Sequence, residues 1–256
     1  MAAVLPLTDW RVLVTRPANQ ARSLLQALRQ AGATAIAYPT IAVEAPPSWA
    51  RFDDAIASVA SYGWVVFTSP SAVRSALARA PRLEAALRSS KDGPRVAAVG
   101  SQTASTLAEH GVPVTLMPED GVQRQEGLVA GFIGSGALKP GTRVLLPQAI
   151  GGRELLHEAL TAVGAIVDVV PVSRTVALPL PGPPPAFDVA TFASPSALRA
   201  FVDGLKVAAL HDKVVAVIGP TTRDAAIAAG VTVQVESTIP SVAGLVDALA
   251  AYRLRG

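Results

Sequence analysis

The sequence predicts an α/β protein made of two similar domains, each a parallel sheet covered by helices on both faces. Three observations predict it. The chain is written twice. Each copy alternates short β-like runs with runs of helical period. Each passage from strand to helix goes through a turn of small residues.

The first repeated unit sets Arg11–Pro39 against Arg143–Pro171. At one constant offset Arg11, Val12, Leu13, Leu24, Leu28, Gly32, Ala33 and Pro39 meet identical residues. Each copy opens on an apolar strand and crosses a turn. It then enters a helix with apolar residues at helical spacing, ends that helix at a glycine and continues into a second strand. The second unit sets Trp64–Leu77 (WVVFTSPSAVRSAL) against Val189–Val202 (VATFASPSALRAFV). The third sets Arg95–Gly111 against Lys213–Gly230. Both third units continue through a short β-like stretch, Val112–Met117 or Val231–Val235, into a helix that begins near Gln125 or Ser241. The Pro-rich stretches Ala45–Ser48 and Pro179–Pro185 read as connections. Taken alone, the repeat places a single domain boundary near Ser135–Pro140.

Composition narrows the function classes. Half of the 256 residues are apolar and 16% are charged, a globular composition. The net charge of +3 comes without a dense Lys/Arg run, so no nucleic-acid surface is expected. The absence of cysteine excludes disulfides, thiolate metal sites and cysteine nucleophiles. His110, His157 and His211 show no ligand spacing, so no metal site is expected. No apolar run reaches the ~18 residues of a membrane span. Met1–Trp10 lacks the basic-then-apolar pattern of a signal peptide, and a cytoplasmic protein is expected.

The turns after the strands share one chemistry. They read Thr15-Arg16-Pro17, Thr68-Ser69-Pro70-Ser71 and Gly100-Ser101-Gln102-Thr103 in order. The turn Gln148–Arg153 follows, with Gly151 and Gly152, then Ser194-Pro195-Ser196 and Gly219-Pro220-Thr221-Thr222. A Ser or Thr cap with Pro in the first turn marks a helix start. Such ends present free backbone N–H groups and a partial positive charge, which suits anions. In an open α/β sheet, ligands gather beyond the carboxyl ends of the strands. Six such ends from two domains are expected to line one cleft for a ligand carrying several carboxylates or phosphates. Any single strand–helix junction needs a cap for structural reasons alone. The binding reading rests on all six, and on Gly100 and Gly219 permitting close backbone approach. Arg16 is the charged residue set in such a turn, as a carboxylate clamp or as a surface pair. No Gly-Lys-Ser/Thr, GxGxxG or GxSxG pattern is present. Asp53-Asp54 and Glu119-Asp120 read as solvated surface.

On these residues the chain resembles the uroporphyrinogen-III synthase family. VLVTRPANQARSLLQALRQAGATAIAYPTI, VVFTSPSAV, VAAVGSQTA, RVLLPQAIGGRELLHEAL, TFASPSAL and VAVIGPTT stand in the family's order and spacing from about residue 10 to about residue 250. The resemblance implies two flavodoxin-like α/β domains joined by a two-strand connector, with a cleft between them. One domain would be residues 1–40 plus 174–256 and the other 45–170, with connector strands at 40–45 and 170–175. It implies conversion of hydroxymethylbilane, a linear tetrapyrrole with eight carboxylates, to uroporphyrinogen III. Water is lost and ring D is inverted through a spiro intermediate, with no metal or organic cofactor. It implies a monomer that binds no nucleic acid and no membrane.

By resemblance Thr103 is the candidate proton donor. Thr15, Arg16, Thr68, Ser69, Ser71, Gly100, Ser101, Gly152, Ser173, Ser194, Ser196, Gly219, Thr221 and Thr222 are the candidate substrate contacts. The family pattern V-Y-R-T reads Val172-Ser173-Arg174-Thr175 here, so Ser173 stands where the family has Tyr. Two other readings are a non-catalytic tetrapyrrole sensor of the same fold and a periplasmic-type binder. The sequence's end at Gly256, after the last predicted helix, weighs against an appended DNA-binding segment. The missing signal peptide weighs against the binder.

Overall fold

The computed structural model describes residues 5–89, 93–119 and 124–255. Asp120, Gly256 and the first four residues of the Met1–Trp10 segment lie outside them. The chain opens β1 (Arg11–Val14), α1 (Ala18–Gln30), β2 (Thr34–Ala37), β3 (Ile41–Glu44), α2 (Ala50–Ala57). It continues β4 (Trp64–Phe67), α3 (Pro70–Arg79), α4 (Pro81–Arg88), β5 (Arg95–Ala98), α5 (Ser101–Glu109), α6 (Gln125–Gly134). Then come β6 (Arg143–Ala149), α7 (Leu155–Ala162), β7 (Ile166–Ala177), β8 (Val189–Phe192), α8 (Pro195–Leu205). It closes with β9 (Val214–Val217), α9 (Pro220–Ala228), β10 (Val235–Glu236) and α10 (Val242–Arg253).

Two compact units result. Residues Met1–Ala42 and Thr175–Gly256 form the first, and Val43–Arg174 the second. The single boundary near Ser135–Pro140 is therefore corrected, because that stretch lies inside the second unit. β3 and β7 are the two places where the chain passes from one unit to the other. A repeat aligned along the chain cannot reveal such a double crossing.

In the first unit the strand order is β10-β9-β8-β1-β2, with parallel pairing throughout. In the second it is β3-β7-β6-β4-β5, with β7, β6, β4 and β5 parallel. The repeat maps β1 onto β6, β2 onto β7, β8 onto β4 and β9 onto β5. Under that mapping the four matched strands have the same spatial order in the two sheets and only the chain order is permuted; the fifth strand is β10 beside β9 in one and β3 beside β7 in the other.

The sequence builds these layers directly. β4 and β8 are buried at every position, as strands covered on both faces must be. In the first unit Val12 and Val14 pack with Leu24, Leu28, Leu245 and Leu249 under α1 and α10. Leu13 faces the other way, with Phe192, Leu198 and Phe201 under α8. The second unit repeats the alternation, with Val144 and Leu146 against Leu156, Leu160 and Phe132, and Leu145 against Phe67, Val73 and Leu77. Each such aliphatic side chain contributes roughly 1.5–3 kcal/mol of burial. Gly32 and Gly164 end α1 and α7 at φ +98° and +88°, a conformation that costs a side chain heavily.

The β-like stretches after the third units are shorter than expected. Val112–Met117 reduces to one bridge, Ala97 to Leu116, because Pro113 cannot donate to a ladder. Val231–Val235 reduces to the two-residue β10. There the Gln234 side chain accepts from Val215 N at 2.7 Å, taking a ladder position that a backbone carbonyl would fill.

Candidate functional site

Parallel strands end on one edge of a sheet, so each unit collects its predicted turns there. The first unit holds Thr15 and Arg16 after β1, Ser194 and Ser196 after β8, and Gly219, Thr221 and Thr222 after β9. The second holds Thr68, Ser69 and Ser71 after β4, Gly100, Ser101 and Thr103 after β5, Gly152 after β6, and Ser173 within β7. In both sheets the connections diverge at one place, between β1 and β8 or between β6 and β4. That divergence is where open α/β sheets carry ligands.

Only two of the six turns are capped by a side chain. Ser69 accepts from Ala72 N and Ser194 from Ala197 N, each at 3.2 Å, with Pro next in the helix. The other four helices begin at Pro17, Gly100, Glu154 and Gly219 with no side-chain cap. Thr15 is the most enclosed of the turn residues. It is wholly buried, and its hydroxyl donates to Thr191 O at 2.8 Å while Thr191 donates to Leu13 O at 2.8 Å. This reciprocal pair pins β1 to β8, so the Thr15 hydroxyl is committed inside the sheet.

Gly100 and Gly219 adopt extended backbone, φ −179° and 166°, open to any residue. A Cβ on Gly219 would meet only Pro240 Cβ at 3.5 Å, an ordinary contact. Backbone conformation therefore gives no reason for glycine at either place, and a methyl group at Gly219 would fit without a clash.

Thr103 and Thr222 take the third position of α5 and α9, at matching places in the repeat. They are 2% and 3% exposed, and neither hydroxyl has a hydrogen-bond partner among the described residues. Buried hydroxyls normally find partners. Neither oxygen is sealed, because Gln125 Oε1 is the one sealed and unpartnered side-chain polar atom among the described residues. Ser173 is 1% exposed, and its carbonyl accepts Ile150 N at 2.8 Å. Ser101, Ser71 and Arg16 are each engaged in interactions of their own.

The two largest pKa displacements lie at the opposite end of the strands. Arg11 forks onto Asp188 at 2.7 and 3.0 Å, and hydrogen bonding to the guanidinium lowers the carboxyl to about 2. Tyr62 donates to Asp168 at 2.7 Å, with Arg143 on the same carboxylate at 2.8 Å. Burial first, then the carboxylate, pushes the Tyr62 phenol up to about 12. These clusters fasten strand starts and stand apart from the turns. Asp53 likewise pairs with Arg79 at the surface.

A family model described as "Uroporphyrinogen-III synthase HemD" matches residues 22–247. The chain belongs to the uroporphyrinogen-III synthase family. It is 38% identical over 168 residues to the uroporphyrinogen-III synthase of Synechococcus elongatus, an alignment covering 65% of this chain and 61% of that protein. The chain thus spans about three-fifths of that relative's length. The synthase of Chlorobaculum parvum is 26% identical over 241 residues, 88% of this chain and 91% of the relative. Two solved synthases share the fold at 17% identity and TM-score 0.63. One is a mutant enzyme from the extreme thermophile Thermus thermophilus, covering 97% of this chain and 100% of that one. The other is from Helicobacter pylori, at 93% and 97%. No helix among the described residues is long and apolar enough to cross a membrane.

Proposed function

We propose that this chain closes hydroxymethylbilane to uroporphyrinogen III, losing water and inverting ring D. The observation that carries the reading is the pair of buried, unpartnered hydroxyls, Thr103 and Thr222, at repeat-related helix starts. Each stands among backbone N–H groups at the carboxyl end of its own sheet, which suit a substrate with eight carboxylates.

Thr103 donates a hydrogen bond to the departing hydroxyl of the bilane, and loss of that hydroxyl together with the proton of its pyrrole N–H releases water. The azafulvene so formed bonds to the substituted carbon of ring D and gives a spiro intermediate. That intermediate fragments and recloses with ring D inverted. The unassisted reaction gives the uninverted isomer I, so the protein's contribution is chiefly to hold the reacting ends in one geometry. No Ser-His-Asp set or carboxylate pair is needed for that task. Ser173, covered on β7, leaves the family's tyrosine position without a phenol, and Thr103 carries the proton-donor role alone. In this reading the enzyme is a cytoplasmic monomer with a diffusible substrate and no nucleic-acid or membrane partner.

The test is to supply the purified protein with fresh hydroxymethylbilane and chromatograph the oxidised products. Isomer III above the spontaneous background is expected. Isomer I alone would overturn the assignment.

A further inference from the structure

We infer that Gln148 is a substrate-binding residue whose side-chain amide holds one acetate or propionate carboxylate at the start of α7; this rests on the synthase reading. Gln148 is 8% exposed at the carboxyl end of β6, the strand beside the divergence point of its sheet. Its amide has no hydrogen-bond partner among the described residues. It is not among the sealed atoms either, so it still reaches solvent. A buried amide with unused donors is costly unless something binds them.

Three features aim this amide. The register of β6 on β7 shifts after Gln148, which pairs with Pro171 while Ala149 pairs with Ser173. Such a bulge re-aims side chains at a strand end. The turn then closes over the amide: a Cβ on Gly152 would stand 2.8 Å from Gln148 Oε1 and 2.9 Å from Cδ, so a side chain there would push the amide from its place. Finally, the Gly151 and Arg153 backbone N–H groups make no hydrogen bond among the described residues, and they stand just before the α7 N-terminus. An amide donor, free backbone N–H groups and the positive end of a helix together select a carboxylate. The Arg153 to Glu126 ion pair ties this turn to the start of α6.

The repeat supplies an independent argument. The offset that lays Arg11 on Arg143 lays Arg16 on Gln148. Arg16 is the charged residue of the corresponding turn in the first unit. Arg16 follows β1 and Gln148 lies at the carboxyl end of β6, the strands at the divergence of their sheets, so the two halves place a donor side chain at corresponding points.

The experiment compares wild type, Gln148→Leu and Gln148→Glu on hydroxymethylbilane, following isomer III kinetics and thermal midpoint. Gln148→Leu is expected to raise KM on the order of tenfold or more, the loss of one hydrogen bond to a charged group, with kcat less affected and the midpoint unchanged. Gln148→Glu is expected to keep or raise the midpoint, since an anion suits the α7 start. It should raise KM further than Leu, because it repels the carboxylate. Wild-type KM in Gln148→Leu, or tighter binding in Gln148→Glu, overturns this inference and leaves the synthase reading standing. Loss of fold in both variants makes Gln148 structural and overturns it too. A wild-type protein that yields isomer I alone overturns the reading and the inference together.

Discussion

Ser69 and Ser194, far apart in the chain, cap their helices in the same way: φ −160° in both, ψ 153° and 152°, and a 3.2 Å bond from the N–H three residues on. Each satisfies one of the orphan donors of a helix start. Ser69→Ala and Ser194→Ala are each expected to cost about 1 kcal/mol of stability. The two lie in different units, so the double variant should lose the sum to within about 0.5 kcal/mol. Chemical denaturation of the three variants checks this. A single substitution with no effect would mean that water replaces the cap at no cost.

Arg11 and Asp188 predict an acid limb of stability. The Asp188 carboxyl falls from its ordinary 3.8 to about 2 when folded, chiefly through its bonds to Arg11. A depressed carboxyl contributes stability that is present above pH 3.8 and lost as pH falls through 2. Asp188→Asn should therefore lower the denaturation midpoint at neutral pH, with a gap to wild type that closes between about pH 4 and pH 2. Both side chains are partly exposed, so the neutral-pH gap should also shrink in high salt. A gap that persists at about pH 2 would assign the effect to packing.

These elements differ in how far the sequence foretells them. The layers are readable because Val12, Leu13 and Val14 alternate faces while Leu24 and Leu28 repeat at helical spacing, and both patterns recur at 144–146 and 156–160. The division into units is not readable from the repeat, because β3 and β7 carry the chain across twice and sequence similarity records no crossing. Thr15 resembles a cap because a Thr before Arg-Pro usually is one. Its commitment to Thr191 depends on a strand 176 residues away. Gln148 is easily passed over beside Gly151 and Gly152, although the repeat register that lays it on Arg16 is present in the sequence. The signal is positional, and a neutral amide does not advertise itself by charge.

The two glycines at the end of the first unit's sheet should behave oppositely. A Cβ on Gly244 would stand 2.7 Å from Ser237 Oγ and nearer still to Ile239 O, so backbone must move. Gly244→Ala is expected to destabilise by roughly 1–3 kcal/mol. Gly219→Ala meets only an ordinary contact and should change stability by no more than about 0.5 kcal/mol. If the space beside Gly219 serves substrate, the Gly219→Ala protein will be fully folded yet raise KM for the bilane. Unchanged kinetics in that variant would remove Gly219 from the site.

Thr103 and Thr222 separate chemistry from holding, because burial and position match while the proposed roles differ. Thr→Val keeps the shape of each side chain and removes only the hydroxyl. Neither hydroxyl bonds within the protein among the described residues, so both variants should stay within about 1 kcal/mol of wild-type stability. Thr103→Val should lower kcat for isomer III by about 10²-fold, the low end of what a positioned proton donor contributes. Thr222→Val should act mainly on KM, by about tenfold, as the loss of one hydrogen bond to substrate. Products of each variant are resolved by chromatography after oxidation, so a failing enzyme reveals itself as a rising share of isomer I. Near-normal kcat in Thr103→Val would remove the hydroxyl from the leaving-group step. A kcat loss confined to Thr222→Val would transfer the role to the first unit.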